Sequence, residues 1–281
     1  MTREDYEEFR RFLADACGIT LGDNKQYLVS SRLSPLMLEF NIVSIRELIE
    51  RVRRDRQSKL TERIIDAMTT NETQWFRDQF PFEILKQTIL PGIPRGRAQP
   101  VRIWSAACSS GQEPYSIAIS VHEHLLRNPG TLSGGVQILA TDISPTMLKQ
   151  AALGLYDGVA IARGLSAERR QRYFLPAGSQ WVVKPDVRRL VSFREMNLCQ
   201  GYEALGKFDV IFCRNVLIYF AAELKRDIIK RMSQALNPGG YLFLGAAESL
   251  SNYSEAFEML RLDGGIVYRL KSGNAVPRRS S

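Results

Sequence analysis

The chain has 281 residues, 44% hydrophobic and 24% charged, a composition able to bury a core in one large and one small domain. No apolar run nears the roughly 20 residues that cross a bilayer. Met1–Arg11 carries mixed charge where an export signal would be apolar, so a cytoplasmic location without membrane insertion is expected. The net charge of +8 sits downstream: 12 Lys and Arg face 13 Asp and Glu through Trp75, against 26 and 17 thereafter, an imbalance that favours an acidic partner.

In chain order, Tyr6, Phe9, Phe12 and Leu13 have helical spacing, and Gly18 stops that run. Helical patterns follow near Gln26–Phe40, Ile45–Arg54 and Leu60–Thr69, so residues 1–75 read as a small all-α domain. A bridging helix and a Pro/Gly-rich linker occupy 76–100. From Val101 the texture alternates: strands at Val101–Ala107, Val136–Ile143, Leu190–Met196, Phe208–Cys213 and Tyr241–Gly245, with helices at Glu113–Leu126, Pro145–Leu155 and Ala221–Leu236. A final pair lies near Phe257–Leu262 and Ile266–Leu270. This order implies an α/β, doubly wound Rossmann-like sheet over 101–271. The tail, 272–281, reads as disordered.

Cys17, Cys108, Cys199 and Cys213 show no CxxC spacing, which suits reduced thiols. His122 and His124, two apart on a helix, face different ways, and no HExxH is present, so no metal site is expected.

Ligands of a doubly wound sheet sit at the carboxyl ends of its strands, and three junctions there carry suggestive residues. Ser105–Ser116 follows a strand with small residues, Gly111 and then Glu113 at a helix start. Glu113 either complements the helix dipole or attracts an ammonium group. The stretch lacks GxGxxG, so a dinucleotide fingerprint is not supported. Asp142 ends the second strand, where it either caps the next helix or accepts from ribose hydroxyls. Arg214-Asn215 ends a buried strand ahead of an apolar run whose single phenol, Tyr219, is either core or part of the site. Gly239 and Gly240 read as turn glycines.

Asn71-Glu-Thr73-Gln-Trp-Phe-Arg77, Ser105–Ser116, Ala140–Ile143, Asn197-Leu198 and Cys213–Phe220 together resemble the chemotaxis receptor methyltransferases, the CheR family, across nearly the whole chain. The resemblance implies S-adenosylmethionine as cofactor, S-adenosylhomocysteine as product, and glutamate side chains of chemoreceptor methylation helices as acceptors. It implies that Asn71, Thr73, Arg77, Glu113, Asp142, Asn197, Leu198, Arg214 and Asn215 contact the cofactor, and that the N-terminal helices touch the receptor. A small β-flap is expected at about 175–190. That stretch is a few residues shorter than in relatives that tether to a receptor C-terminal pentapeptide by strand addition, so tethering is expected to be weak or absent.

A glutamate carboxylate, with a reference pKa near 4.3, is already the nucleophile at neutral pH, so no general base is required. The remaining tasks are alignment and exclusion of water; Tyr219 and Arg77 are the expected positioning residues. Arg46, Arg53, Arg56 and Arg63 are either a solvated face or an electrostatic dock for an acidic receptor surface. A monomer is expected. The pI of 9.4 raises a nucleic-acid methyltransferase as a rival, but the arginines are not interleaved with stacking aromatics, and no nucleic-acid partner is expected. A non-catalytic cofactor-sensing adaptor is the second rival.

Overall fold

The computed structural model describes residues 1–55, 59–262 and 264–272; Arg56 lies outside them, as does the expected tail apart from Ser272. Four helices open the chain: α1 (Arg3–Cys17), α2 (Gln26–Glu39), α3 (Ile45–Arg54) and α4 (Lys59–Met68). Thr2 and Asp5 form a reciprocal capping box at the start of α1. Gly18 ends it in the left-handed region at φ 78°. Tyr6, Phe9, Leu13, Val29, Leu33, Leu48 and Ile64 interlock as the bundle core, each contributing roughly 1.5–3 kcal/mol by leaving water.

The bridging helix is α5 (Phe80–Ile84), continued as a π-helix over Leu85–Ile89. Then come β1 (Val101–Ala106), α6 (Gln112–Arg127), β2 (Val136–Asp142) and α7 (Pro145–Leu153). β3 (Leu155–Asp157), α8 (Gly158–Ala162), α9 (Ala167–Tyr173), β4 (Phe174–Ala177), β5 (Gln180–Val183) and α10 (Pro185–Arg188) follow. The chain closes with β6 (Val191–Glu195), β7 (Phe208–Cys213), α11 (Ala222–Ala235), β8 (Leu236–Phe243), β9 (Phe257–Leu262) and β10 (Gly265–Leu270).

The main sheet has the order β6-β2-β1-β7-β8-β10-β9. β1 lies parallel to both β2 and β7. The chain moves outward from β1 through β2 to β6, then returns to place β7 on the other side. The topology therefore reverses between β1 and β7, and the carboxyl ends of those two strands open the crevice in which such sheets bind ligands. Apolar side chains bury both faces: Ile103, Val210, Phe212 and Phe243 on one, Trp104, Ile211, Leu242 and Leu244 on the other. That two-sided burial explains the near-continuous apolar runs of these strands.

Three features depart from expectation. The final pair is not parallel: β10 inserts between β8 and β9 and runs antiparallel to both. The Asn237–Gly240 turn survives as a bulge inside β8, where Asp209 alone separates the pairs Phe208–Leu236 and Val210–Tyr241. The flap is larger than 175–190; it is a three-stranded antiparallel sheet of order β3-β5-β4 whose first strand begins at Leu155. A three-residue strand has too little alternation to be read locally.

Candidate functional site

After β1 the backbone turns sharply, with Ala107, Ser109 and Gly111 at φ 58°, 50° and 95°. Gly111 is required there twice over. Its φ disfavours any side chain, and a Cβ would lie 2.9 Å from that of Ala151 and 3.0 Å from the Tyr156 hydroxyl. The turn aims the Ser109 N–H at Asp142 Oδ2 (2.7 Å), while the Ser144 N–H donates to Oδ1 (2.9 Å). Ser144, whose Oγ accepts the Met147 N–H, caps α7 itself, so Asp142 fixes the end of β2 and, with lone pairs left on each oxygen, is an acceptor facing the cleft. Burial raises its pKa against the pull of those N–H groups.

Glu113, in the first turn of α6, accepts from Ser105 Oγ (2.8 Å) and from Arg214 Nη1 (3.0 Å). Desolvation raises its pKa, with Arg214 opposing. Arg214, at the end of β7, is almost fully buried; it also donates to Asp78 Oδ2 (2.6 Å) and to the Arg77 carbonyl (2.8 Å). Its charge is therefore spent on two carboxylates, and it organises Glu113 and the Arg77-Asp78 turn. Asn215 follows in the left-handed region at φ 58°.

The helical domain forms the other wall. Arg32 of α2 donates to the carbonyls of Met68 (2.7 Å) and Thr69 (3.0 Å) at the end of α4, fixing the strand of chain that enters Asn71–Arg77. Ser109 Oγ donates to the Asn71 carbonyl (2.9 Å), and Arg77 donates to the Glu72 carbonyl (3.3 Å). Asn197 borders the cleft and also ties it to the helical domain. Its Nδ2 donates to the Ala16 carbonyl of α1 (2.8 Å) and its Oδ1 accepts the Cys199 N–H (2.9 Å), so its side chain joins the domains. Thr20, in the α1–α2 loop, donates both its N–H (2.9 Å) and its Oγ (3.0 Å) to the Tyr219 carbonyl.

Between these walls lies a cleft of about 350 Å³, bordered by Asn71, Thr73, Arg77, Glu113, Asp142, Asn197, Leu198, Arg214, Asn215 and Tyr219, every residue expected at the site. Cys17 and Cys108 also line it, but burial pushes the Cys17 thiol up to about 12 and Cys108 well above the usual range, so neither supplies a thiolate. Sequence reasoning missed Thr20, Arg32 and Asp78, and reached Ser109 only as part of the Ser105–Ser116 stretch. Of the three missed, Asp78 alone had a local signal, as the neighbour of Arg77.

Of the expected docking arginines, the three among the described residues, Arg46, Arg53 and Arg63, lie outside the cleft and are paired. Arg46 pairs with Asp5 (3.3 Å) and Glu4 (3.7 Å), Arg53 with Glu8, and Arg63 with Glu39 (2.8 Å). Through Thr70 the chain carries 12 Lys and Arg and 12 Asp and Glu, so the helical domain is neutral. Among the described residues no cluster fit to hold a metal ion occurs, and no helix is long and apolar enough to cross a membrane.

The donor set suits S-adenosylmethionine: a cleft large enough for a nucleoside, a strand-end carboxylate with free lone pairs for hydroxyls, and buried Glu113 for an ammonium. The family described as CheR methyltransferase, SAM binding domain, matches residues 71–266, and CheR methyltransferase, all-alpha domain, matches 4–69. The chain is 54% identical over 269 residues to chemotaxis protein methyltransferase Cher2 of Pseudomonas putida, covering 95% of this chain and 98% of that one. It is 55% identical, over the same shares, to chemotaxis protein methyltransferase 1 of Pseudomonas aeruginosa. A helical domain and a cofactor-binding sheet thus meet at one cleft in the order those matches give, and the chain belongs to the CheR family of S-adenosylmethionine-dependent chemotaxis protein methyltransferases.

Proposed function

We propose that this protein is a protein-glutamate O-methyltransferase acting on the cytoplasmic methylation helices of chemoreceptors. The observation that carries this reading is the lack of a free base among the buried described residues of the cleft, whose remaining carboxylate, Glu72, is exposed to solvent. Glu113 and Asp142 are held by Arg214, Ser105 and backbone N–H groups, and the thiols are protonated. An amine or hydroxyl acceptor would need a proton removed, whereas a carboxylate arrives ionised.

When bound, S-adenosylmethionine supplies an electrophilic methyl carbon, which the acceptor carboxylate takes to give a glutamyl methyl ester and S-adenosylhomocysteine with no proton transferred. Asp142 and Asn215 hold the nucleoside end, and Glu113, kept in place by Arg214, holds the ammonium end. Thr73, Arg77 and the Asn197-Leu198 backbone close the sides. Tyr219, tied to the helical domain through Thr20, orients the reacting groups while the α1–α2 loop excludes water. Arg46, Arg53 and Arg63 reach an acidic receptor surface only by exchanging partners with carboxylates of α1 and α2, so their contribution to docking is small.

The reading includes independence from a pentapeptide tether, supported by the flap's outer edge. The Lys184 N–H donates to the Tyr173 carbonyl (2.9 Å), so alternate residues Phe174 and Pro176 of β4 point their backbone away from β5. Pro176 has no N–H, and the Phe174 N–H is taken by the Arg170 carbonyl of α9. An added strand would find no donor there. The opposite edge, β3, has three residues and ends at Asp157, the cap of α8.

The decisive experiment is transfer of a tritiated methyl group to receptor cytoplasmic fragments, followed by alkali. Release of volatile methanol identifies the ester; label stable to alkali overturns the reading.

A further inference from the structure

We propose that Glu248 is a positioning residue that sets the conformation of the loop joining β7 to α11, and through it the cofactor contact at Asn215. Glu248 lies three residues beyond Gly245, just past the end of β8, the strand beside β7. Oε2 accepts the N–H groups of Asn215 (2.7 Å) and Gly245 (2.8 Å), and Oε1 accepts that of Ile218 (3.3 Å). One carboxylate thereby spans the loop from its first strained residue to the turn Leu217–Tyr219.

The strain gives this bond its purpose. Asn215 stands at φ 58°, a conformation that disfavours side chains with a Cβ, although asparagine tolerates it better than most. A charge-assisted bond to its N–H is the local force opposing relaxation to negative φ. The packing is built for the same approach: a Cβ on Gly245 would lie 2.6 Å from Asn215 Nδ2 and 2.8 Å from Glu248 Oε2. Without the carboxylate, relaxation at Asn215 swings its amide away from the cleft and displaces Val216 and Tyr219, which also line it.

The inference rests on adenosine-cofactor binding in this cleft, and the test separates the two. Calorimetric Kd values for S-adenosylhomocysteine are measured for the full chain as wild type, Glu248→Ala, Asn215→Gly and the double variant. Glycine adopts the left-handed conformation without help, so it removes the need for Glu248. The expected result is about tenfold weaker binding for Glu248→Ala in the wild-type background and less than about twofold in the Asn215→Gly background. Equal losses in both backgrounds, or a lowered melting temperature with Kd unchanged, would mean that Glu248 serves stability alone and overturn the proposal. Should Glu248→Ala not fold, Glu248→Gln takes its place. Its single acceptor oxygen leaves at least one N–H facing an amide. A loss of about two- to fourfold is then expected, vanishing in the Asn215→Gly background; no loss overturns the proposal. Absence of binding by the wild type would defeat the cofactor reading itself, and the proposal with it.

Discussion

Glu113 Oε2 and Arg214 Nη1 meet at 3.0 Å across the topological switch of the sheet, one from the helix that follows β1 and the other from the end of β7. The pair closes the floor of the crevice, and Asp78 completes it from the segment leading out of the helical domain. The pair thereby joins the two strand ends, and the proposed contact of Glu113 with the cofactor's ammonium depends on the same construction.

Replacing Glu113 by Ala is expected to affect both. Removing one partner of a buried ion pair costs roughly 3–5 kcal/mol when the other is orphaned. Arg214 retains Asp78, so a loss of about 3 kcal/mol or less is expected in chemical denaturation. Affinity for S-adenosylhomocysteine should fall more than about tenfold, since a hydrogen-bonded charge is lost to its ammonium as well. Glu113→Ala with unchanged calorimetric Kd would remove Glu113 from the cofactor site.

Asp142 gives the pH dependence. Burial raises its pKa above the ordinary value of 3.8, so on acidification it takes up a proton before an ordinary aspartate does. Ribose hydroxyls donate to the ionised form, so affinity is full above the raised pKa and declines as pH falls through it. Calorimetry of S-adenosylhomocysteine from neutral pH downward should show this decline in the wild type. Asp142→Asn should bind about 10–100-fold more weakly at neutral pH and lack that component of the pH dependence.

The strands were legible because β1, β2 and β7 are apolar runs ending in residues that sheet physics places at a ligand. Asp142 and Asn215 needed only their positions to be suspected. The closure of the site was not legible. Asn197 reaches Ala16 across 181 residues and Thr20 reaches Tyr219 across 199, pairings that leave no local periodicity. The ion pairs of Arg46 and Arg53 with acids of α1 were hidden for the same reason, so a run of arginines looked freer than it is. β3 escaped because its partner strand lies more than twenty residues on.

Gly18 tests the domain junction. It has φ 78°, and a Cβ there would collide with Leu224 and lie 2.9 Å from Cys199 Sγ. Gly18→Ala should therefore force α1 away from the catalytic domain, lowering stability by about 1–3 kcal/mol and methyl transfer with it. A variant with wild-type melting temperature and turnover would show that the junction tolerates displacement.

Tyr219 and Thr20 should behave as a coupled pair. With a carboxylate acceptor no proton is abstracted, so Tyr219→Phe should lower kcat only about three- to tenfold and leave the cofactor Kd unchanged. Thr20→Val removes one of two bonds to the Tyr219 carbonyl and should cost about two- to fivefold in kcat. The double variant should lose less than the product of the two factors. A thousandfold loss for Tyr219→Phe would mean that the phenol takes part in proton transfer and that the acceptor is not a carboxylate.

The flap makes a prediction about partners. Strand addition draws its affinity from main-chain hydrogen bonds, and the outward edge of β4 offers carbonyls at Phe174 and Pro176 but no free N–H. A receptor C-terminal pentapeptide titrated into the protein should therefore give no saturable heat at micromolar concentrations. Receptor fragments with and without that peptide should be methylated at equal rates. Pro176→Val restores one outward N–H and should produce at most weak binding, because the Phe174 N–H stays committed to Arg170. Micromolar binding by the wild type would show that the peptide pairs along β3 or that α9 unwinds to release Phe174, and tether independence would then be lost while the esterification chemistry stood.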